Sequence, residues 1–403
     1  MINNLKESKV LRDPIHGYIH IDLAIIWDLI NTSELQRLRR IHQLGGNYQV
    51  YHTAEHSRFA HSLGVYEIIR RMVYENEQLN NILNEYEKTI IMIAGLLHDI
   101  GHGPFSHAFE SVVNESHEVY TIKIIEGNTN INRVLNDFDS RCVKDVVDIL
   151  LYRYSNPLLN QILSGQLDAD RMDYLLRDAY FTGTTYGNFD LERVLRTMRV
   201  KDDKLVVKMS GIHTVEDYIM ARYHMYWQVY YHPIARSYEG MLMMLFKRMK
   251  DVYMVNPIMF NDAKMFIPFI NNKDISVEDY LRMDEAAILY GLNILCDSSD
   301  KILSDISNRL LNRRLFKYIN VDNEDEVLAI KDKVVKLGYD PNYYLYRDHR
   351  NQRPYQPYDS EQGHNIWILE DNSIIELSKI SVIVRAITSA KMKEENKLFF
   401  PID

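Results

Sequence analysis

The sequence predicts a mainly α-helical protein with a smaller C-terminal α+β subdomain. Apolar residues recur every three or four positions through the first two-thirds of the chain, as one face of a helix requires. Period-two alternation, the mark of a strand, is confined to short stretches. Beyond about residue 250 helical patterns mix with hairpin signals, which divides the chain into residues 1–250 and 251–403.

Leu35, Leu38 and Ile41 give a short amphipathic helix that also carries Arg37, Arg39 and Arg40. Leu63, Tyr66, Ile69, Met72 and Val73 share one face of a second helix, and Ile90, Ile93, Ala94 and Leu97 one face of a third. Asp145 to Tyr154 and Asp170 to Ala179 repeat the pattern. Met198–Lys201 and Lys204–Met209 read as paired strands across Asp202-Asp203. The longest helix is expected to start at Thr214, where Thr-Val-Glu-Asp offers an N-cap with an acid three residues later. It runs through Tyr223, Tyr226 and Tyr230 towards Lys250, with an interruption at Pro233. The aromatic run Tyr223, Tyr226, Trp227, Tyr230 and Tyr231 reads as core or subunit interface, and Met241–Phe246 as buried packing. Helical patterning continues through Leu289 and Leu310. Tyr343–Tyr358, polar, aromatic and broken by prolines, reads as a surface loop that includes Arg347, His349, Arg350 and Arg353. Ile366–Leu369 and Ile374–Leu377 form a hairpin that turns at Asp371-Asn372.

Two cysteines, Cys142 and Cys296, are too few for a disulfide framework or a thiolate metal site, and they point to a reducing, cytoplasmic setting. A net charge of −9 argues against a protein whose main task is coating nucleic acid, yet a local basic cluster can still bind an anion. The N-terminus lacks the apolar core of a targeting signal. No apolar run is long enough to cross a bilayer, so no membrane partner is expected.

The chemistry concentrates in Gly95-Leu-Leu-His-Asp-Ile-Gly-His-Gly-Pro-Phe-Ser-His107, where an apolar helix ends on adjacent His98 and Asp99. An isolated His-Asp pair is common by chance. Here, however, histidines recur at 98, 102 and 107 in a Gly-rich, otherwise apolar stretch. Upstream, His-Ser-Arg-Phe-Ala-His (56 to 61) opens another helix; downstream, Leu-Asp-Ala-Asp-Arg-Met-Asp-Tyr (167 to 174) brings an acidic cluster into a third. One His, a His-Asp pair and one Asp from three helices make a mixed nitrogen and oxygen ligand set with open positions. Such a set suits a catalytic divalent cation better than a closed structural site.

The order H…HD…D resembles the HD-domain metallophosphohydrolase superfamily, which implies an HD-domain helical bundle core. Asp13-Pro-Ile-His-Gly-Tyr, Gln36-Arg-Leu-Arg, Gln43-Leu-Gly-Gly, Arg58-Phe-Ala-His-Ser-Leu-Gly-Val, the His98 motif and Asp170-Arg-Met-Asp-Tyr-Leu-Leu-Arg-Asp narrow the likeness. Together they resemble the deoxynucleoside triphosphate triphosphohydrolases, in the branch of the vertebrate SAM-and-HD-domain enzyme and its stand-alone bacterial relatives. The match covers roughly residues 9 to 245.

The resemblance implies that His61, His98, Asp99 and Asp170 hold one divalent metal (Mn, Fe, Mg, Zn or Ni). Arg58 and Arg171 would contact the triphosphate, with Arg171 standing where the family usually has Lys. His102, His107 and His117 would line the reacting phosphate. His107 would protonate the leaving 5′-oxygen, supported by Glu110 and His117. Gln43 and Asp178 would bind the sugar 3′-hydroxyl, while Leu44 and Tyr174 crowd C2′ and favour deoxyribose. Arg222 and Tyr230 match further pocket positions, and Tyr231 replaces a Gln of the vertebrate enzyme. Lys9, Gln36, Arg39 and Arg193 match an effector site in which Asn31 replaces the acid that reads guanine. Arg37, Arg39 and Arg40 read equally well as a solvated helix face.

The implied reaction converts a deoxynucleoside triphosphate to deoxynucleoside and inorganic triphosphate. Nucleotides would serve as substrate and effector of a homo-oligomer, a tetramer or dimer. Alarmone hydrolases follow HD with Glu-Asp, and cyclic-dinucleotide phosphodiesterases carry Gly-Tyr-Pro; neither follows Asp99. The alternatives are an HD hydrolase acting on another nucleotide, or a non-catalytic nucleotide- or nucleic-acid-binding protein.

Overall fold

The computed structural model describes residues 3–271, 273–352, 365–389 and 393–402. It opens on a strand pair that the helical periodicity does not announce. β1 (Asn4–Asp13) and β2 (Gly17–Leu23) run antiparallel, with Asp13 opposite Gly17. Asp13 Oδ1 accepts from the Ile15 and His16 amides at 2.9 and 3.1 Å, which folds the turn, and Gly17 supplies a φ of +71°. Ile19, Ile21 and Leu23 alternate into the core.

The site rests on five helices from the first half of the chain. They are α1 (Arg58–Glu75), α2 (Glu85–Leu97), α3 (His107–Val113), α4 (His117–Glu126) and α5 (Ala169–Thr182). Ser57 caps α1 by accepting from the Ala60 amide, and an Asn84–Glu87 capping box starts α2. α1 packs against both α2 and α5. Between α2 and α3, Gly101 approaches α4 so closely that a Cβ there would lie 2.1 Å from His117 O. Only glycine admits that contact.

The longest helix does not start at Thr214. α6 (Ile212–Met225) begins two residues earlier, behind Gly211 with no side-chain cap, and Thr214 is buried. A π-helical turn, Tyr226–Tyr230, follows, and α7 (Pro233–Val255) starts at Pro233. The proline makes the expected interruption by opening a new helix, where its missing N–H costs nothing. Met241, Leu242, Leu245 and Phe246 are buried on α7, as their sequence suggests.

The strand pair around Asp202-Asp203 is present as β3 (Met198–Lys201) and β4 (Lys204–Lys208), with both turn residues at positive φ. Further strands are β5 (Lys317–Asn320), β6 (Tyr346–Gln352), β7 (Trp367–Glu370), β8 (Ser373–Glu376) and β9 (Lys393–Phe400). β7 and β8 are the hairpin expected at Asp371-Asn372. That hairpin joins β3–β4 through a parallel β4–β7 pairing, giving the order β3-β4-β7-β8.

Tyr343–Tyr358 is not a surface loop where it is described. Tyr343 and Tyr344 are buried in a short helix, and β6 pairs with β9 in the sheet β5-β9-β6. Residues 353–358, Arg353 among them, lie outside the described residues. Arg37 does not belong to a solvated face either. It is 1% exposed and donates to Met283 O through Nε and Nη2 and to His102 O through Nη1, at 3.1, 2.8 and 2.9 Å. Burial lowers its pKa to about 10. Arg39 and Arg40 are exposed.

Apolar packing forms two cores. One gathers β2, α1, α2, α5 and α6; the other gathers α7 with α3, α8 (Glu285–Cys296) and the C-terminal elements around Phe260, Phe266 and Phe399. Among the described residues, no helix is long and apolar enough to cross a membrane.

Candidate active site

Three helices deliver the four expected ligands to one place. His61 lies on the first turn of α1, His98 and Asp99 follow the end of α2, and Asp170 lies in the first turn of α5. His61 Nε2 is 3.0 Å from Asp170 Oδ1 and 3.7 Å from Asp99 Oδ2. His98 Nε2 is 3.4 Å from Asp99 Oδ1 and 3.6 Å from Asp170 Oδ1. The rings of His61 and His98 meet edge to face, with centroids 5.2 Å apart.

The other nitrogen of each ring is already engaged. His98 Nδ1 donates to Gly95 O at 2.8 Å, which leaves Nε2 as the lone-pair nitrogen, buried and without a hydrogen bond. His61 Nδ1 lies 2.8 Å from Asp173 Oδ2. Burial alone lowers the His61 pKa, but hydrogen bonds with Asp170 and Asp173 reverse this and raise it to about 10. Asp170 is desolvated too, yet the two imidazoles hold its carboxyl below the usual range. Ligand atoms of His61, His98 and Asp99 lie within 4.8 Å of one another, with Asp170 beside both imidazoles, and this mixed nitrogen and oxygen set in a field that stabilises positive charge fits a divalent cation.

Beside this cluster, the His102 and His117 rings stack with centroids 3.7 Å apart and planes 15° from parallel. His102 Nε2 is 3.4 Å from Asp99 Oδ1, and His117 Nδ1 pairs with Glu110. Asp99, His102 and His117 also lie close together. Near-parallel stacked rings, however, send their in-plane lone pairs side by side and not to one point, so this second group does not suit a cation. Burial, then the Arg58 cation, push the His102 pKa well below its usual value. His107 opens α3, but its side chain lies outside the described residues.

A cavity of about 350 Å³ adjoins the cluster. Gln43, Leu44, Arg58, Tyr174, Asp178 and Tyr230 line it, six of the residues expected around substrate. Arg58 reaches both parts: it pairs with Asp99, donates to Ser106 Oγ at 2.7 Å and forms cavity wall. Arg171 and Arg222 are not among the lining residues. Arg171 Nη1 donates to Gly165 O at 2.7 Å and pairs with Asp168, and Arg222 Nη1 donates to Gln166 Oε1 at 2.7 Å. Gln43 Oε1, Asn47 Oδ1 and Arg58 Nε are buried in this wall without a protein hydrogen-bond partner.

Sequence reasoning gave no role to several neighbours. His56, 5% exposed, stacks on Phe181 and places Nε2 2.8 Å from Asp178 Oδ1, while the Tyr230 hydroxyl donates to Asp178 Oδ2 at 2.8 Å. Asn47, Tyr226, Arg236 and Glu239 also line the cavity, as does Tyr231. The tyrosines at 226, 230 and 231 are therefore cavity wall as well as packing. Asp173 had a readable signal: it follows Asp170 by three residues and so shares its helix face.

The residues expected at an effector site each have partners of their own. Gln36 Oε1 accepts from Arg39 Nε at 2.8 Å, and Arg39 stacks over Phe59. Lys9 pairs with Glu7, Asn31 donates to Trp27 O, and Arg193 donates to Ser210 O.

Residues 58–178 match the HD domain and residues 189–265 the HD associated region. The uncharacterized protein YwfO of Bacillus subtilis is 45% identical over 99% of this chain and 93% of its own length. The Dictyostelium discoideum homolog of deoxynucleoside triphosphate triphosphohydrolase SAMHD1 is 30% identical over 82% of this chain, which spans 62% of that protein. The crystal structure of a phosphohydrolase from Bacteroides thetaiotaomicron superposes with a TM-score of 0.86 at 30% identity, covering 98% of this chain and 100% of that one. The chain belongs to the HD-domain phosphohydrolases.

Proposed function

We propose that this phosphohydrolase acts on deoxynucleoside triphosphates, releasing deoxynucleoside and inorganic triphosphate. The observation that carries the reading is the position of Arg58. Its guanidinium pairs with Asp99 beside the ligand cluster and also walls a cavity of about 350 Å³ that contains unfilled polar atoms. A phosphate chain reaching from that cavity to the cluster would accept a charge-assisted hydrogen bond from Arg58 Nε, while Gln43 Oε1 and Asn47 Oδ1 would accept from ligand hydroxyl or amino groups.

His61, His98, Asp99 and Asp170 would hold one divalent cation. When bound, it supplies Lewis-acid stabilisation of a phosphoryl oxygen and makes water more acidic. Arg58 orients the phosphates. His107 protonates the leaving 5′-oxygen, and His117, paired with Glu110, supports it. Asp178, already held by His56 and Tyr230, and Gln43 bind the 3′-hydroxyl. Leu44 and Tyr174 close the space at C2′, where a ribose hydroxyl would be buried unpaired at a cost of about 1–3 kcal/mol. Arg171 joins Arg58 at the triphosphate, and Arg222 and Tyr230 complete the pocket. Lys9, Asn31, Gln36, Arg39 and Arg193 form a nucleotide effector site of a homo-oligomer.

Product analysis tests this. Purified protein is incubated with Mn²⁺, Mg²⁺ or Fe²⁺ and each deoxynucleotide and ribonucleotide, singly and in mixtures. Triphosphate release from deoxynucleotides is expected. Pyrophosphate and monophosphate as products, or turnover confined to another nucleotide, would replace the substrate assignment.

A further inference from the structure

Behind His61 Nδ1 lies a buried ionic network that the reaction does not use. Its centre is Asp173, which is fully buried on α5. Asp173 Oδ2 faces His61 Nδ1 and Arg177 Nε, both at 2.8 Å. Oδ1 faces His16 Nε2 at 2.7 Å and Arg177 Nη2 at 2.9 Å. A carboxylate offers about four lone-pair positions, and here all are taken. The Arg177 guanidinium continues to Asp13, with Nη1 2.8 Å from Oδ2 and Nη2 3.3 Å from Oδ1. Asp13 in turn folds the β1–β2 turn that carries His16. α1 passes so near that a Cβ on Gly64 would lie 1.9 Å from Asp173 Oδ1.

We infer that Asp173 is a positioning residue for the metal centre, and that His16 and Asp13 make the N-terminal hairpin part of the same device. Asp173 accepts the hydrogen bond from His61 Nδ1–H, so that Nε2, which faces Asp99 and Asp170, is the nitrogen offered to a cation placed among them. Arg177 and His16 prevent the carboxylate from turning away. An acid within reach of four donors has no other orientation that satisfies them. The hairpin is thereby tied to a metal ligand through one side chain, although 157 residues separate His16 from Asp173 in the chain. The inference rests on the metal-binding reading above.

The test titrates metal-free, full-length protein with Mn²⁺ and follows its thermal unfolding in parallel. Asp173→Asn, close in shape, should weaken Mn²⁺ binding by about 10- to 100-fold, the usual loss when an outer partner of a ligating His is removed. His16→Ala leaves Asp173, Arg177 and Asp13 in place and should weaken it less, by a few-fold. His16→Gln, which restores an N–H donor, should recover much of that loss. Gly64→Ala, which displaces the carboxylate without altering any polar group, should resemble Asp173→Asn. If Asp173→Asn fails to fold, the two His16 variants carry the test. Variants that unfold at lower temperature yet bind Mn²⁺ as the parent does would reduce the network to a fold brace and overturn the inference. If the parent protein itself binds no Mn²⁺, the metal reading falls first and takes the inference with it.

Discussion

At the proposed metal end of the site both imidazoles have their second nitrogen fixed, His61 Nδ1 by Asp173 and His98 Nδ1 by Gly95 O. At the proposed sugar end, Gln43 Oε1 and Asn47 Oδ1 are buried without a hydrogen-bonding partner. The contrast separates two jobs. Groups already bonded are oriented before anything arrives, as chemistry at a cation requires. Groups left unbonded cost about 1–3 kcal/mol each until a ligand satisfies them, so they contribute to recognition. Asp178 lies between these extremes, held by His56 and Tyr230 but still on the cavity wall.

The metal end should be the less forgiving. His98→Ala or Asp170→Ala removes a ligand, and kcat/KM for a deoxynucleotide should fall by at least about 10²–10³-fold, no less than the loss of one transition-state donor. Elemental analysis should show the metal lost alongside. Parental turnover in a metal-poor variant would break the comparison at its root.

Changes around Asp178 should be milder and fall on binding. Tyr230→Phe or His56→Ala strips one donor from a buried carboxylate, worth about 1–3 kcal/mol, or roughly five- to 150-fold in kcat/KM. Steady-state kinetics should place most of this in KM. A fall in kcat at unchanged KM would show that Asp178 belongs to the chemistry, and the boundary between the two ends would move.

The same division governs what could be read from sequence. The convergence of His61, His98, Asp99 and Asp170 was legible because three amphipathic helices carry them at or beside helix ends, where a motif and a periodicity coincide. Asp173 lies in the quoted motif but has no signature apart from its spacing. The β1–β2 pair escaped because β1 is mostly exposed and polar, which leaves no strong alternation on that strand. β6, with the sequence Tyr-Arg-Asp-His-Arg-Asn-Gln, reads as loop because an edge strand tolerates charge. Its Asp348 is nevertheless buried against Arg236, whose Nη2 is 2.9 Å away. Arg37 misled for a related reason: in a row of three arginines, nothing local distinguishes the one that meets carbonyls of residues 102 and 283. Long-range pairing, including the parallel β4–β7 contact, has no local signal.

Selectivity at C2′ sharpens the recognition end. Leu44→Ala enlarges the wall beside Tyr174, so ribonucleotide turnover should rise relative to deoxynucleotide by up to about tenfold, a change near 1.4 kcal/mol. Parallel assays of a matched nucleotide pair decide it, and an unchanged ratio would remove Leu44 from sugar selection.

The smallest effects belong to the exposed cations outside both ends. Lys9→Ala, Arg39→Ala and Arg193→Ala touch residues whose partners are a surface acid, a ring face and a carbonyl. Such contacts are worth little in water, and the unfolding free energy should stay within about 0.5 kcal/mol of the parent. If these side chains hold an effector, the consequence appears elsewhere: the ratio of turnover in a nucleotide mixture to turnover of one nucleotide alone should fall. The stability measurement is the necessary control, because only a variant that folds like the parent makes a lost ratio informative. A ratio equal to the parent's in all three would return them to ordinary solvated surface, and regulation would then have to be sought away from β1 and the Gln36–Arg39 segment.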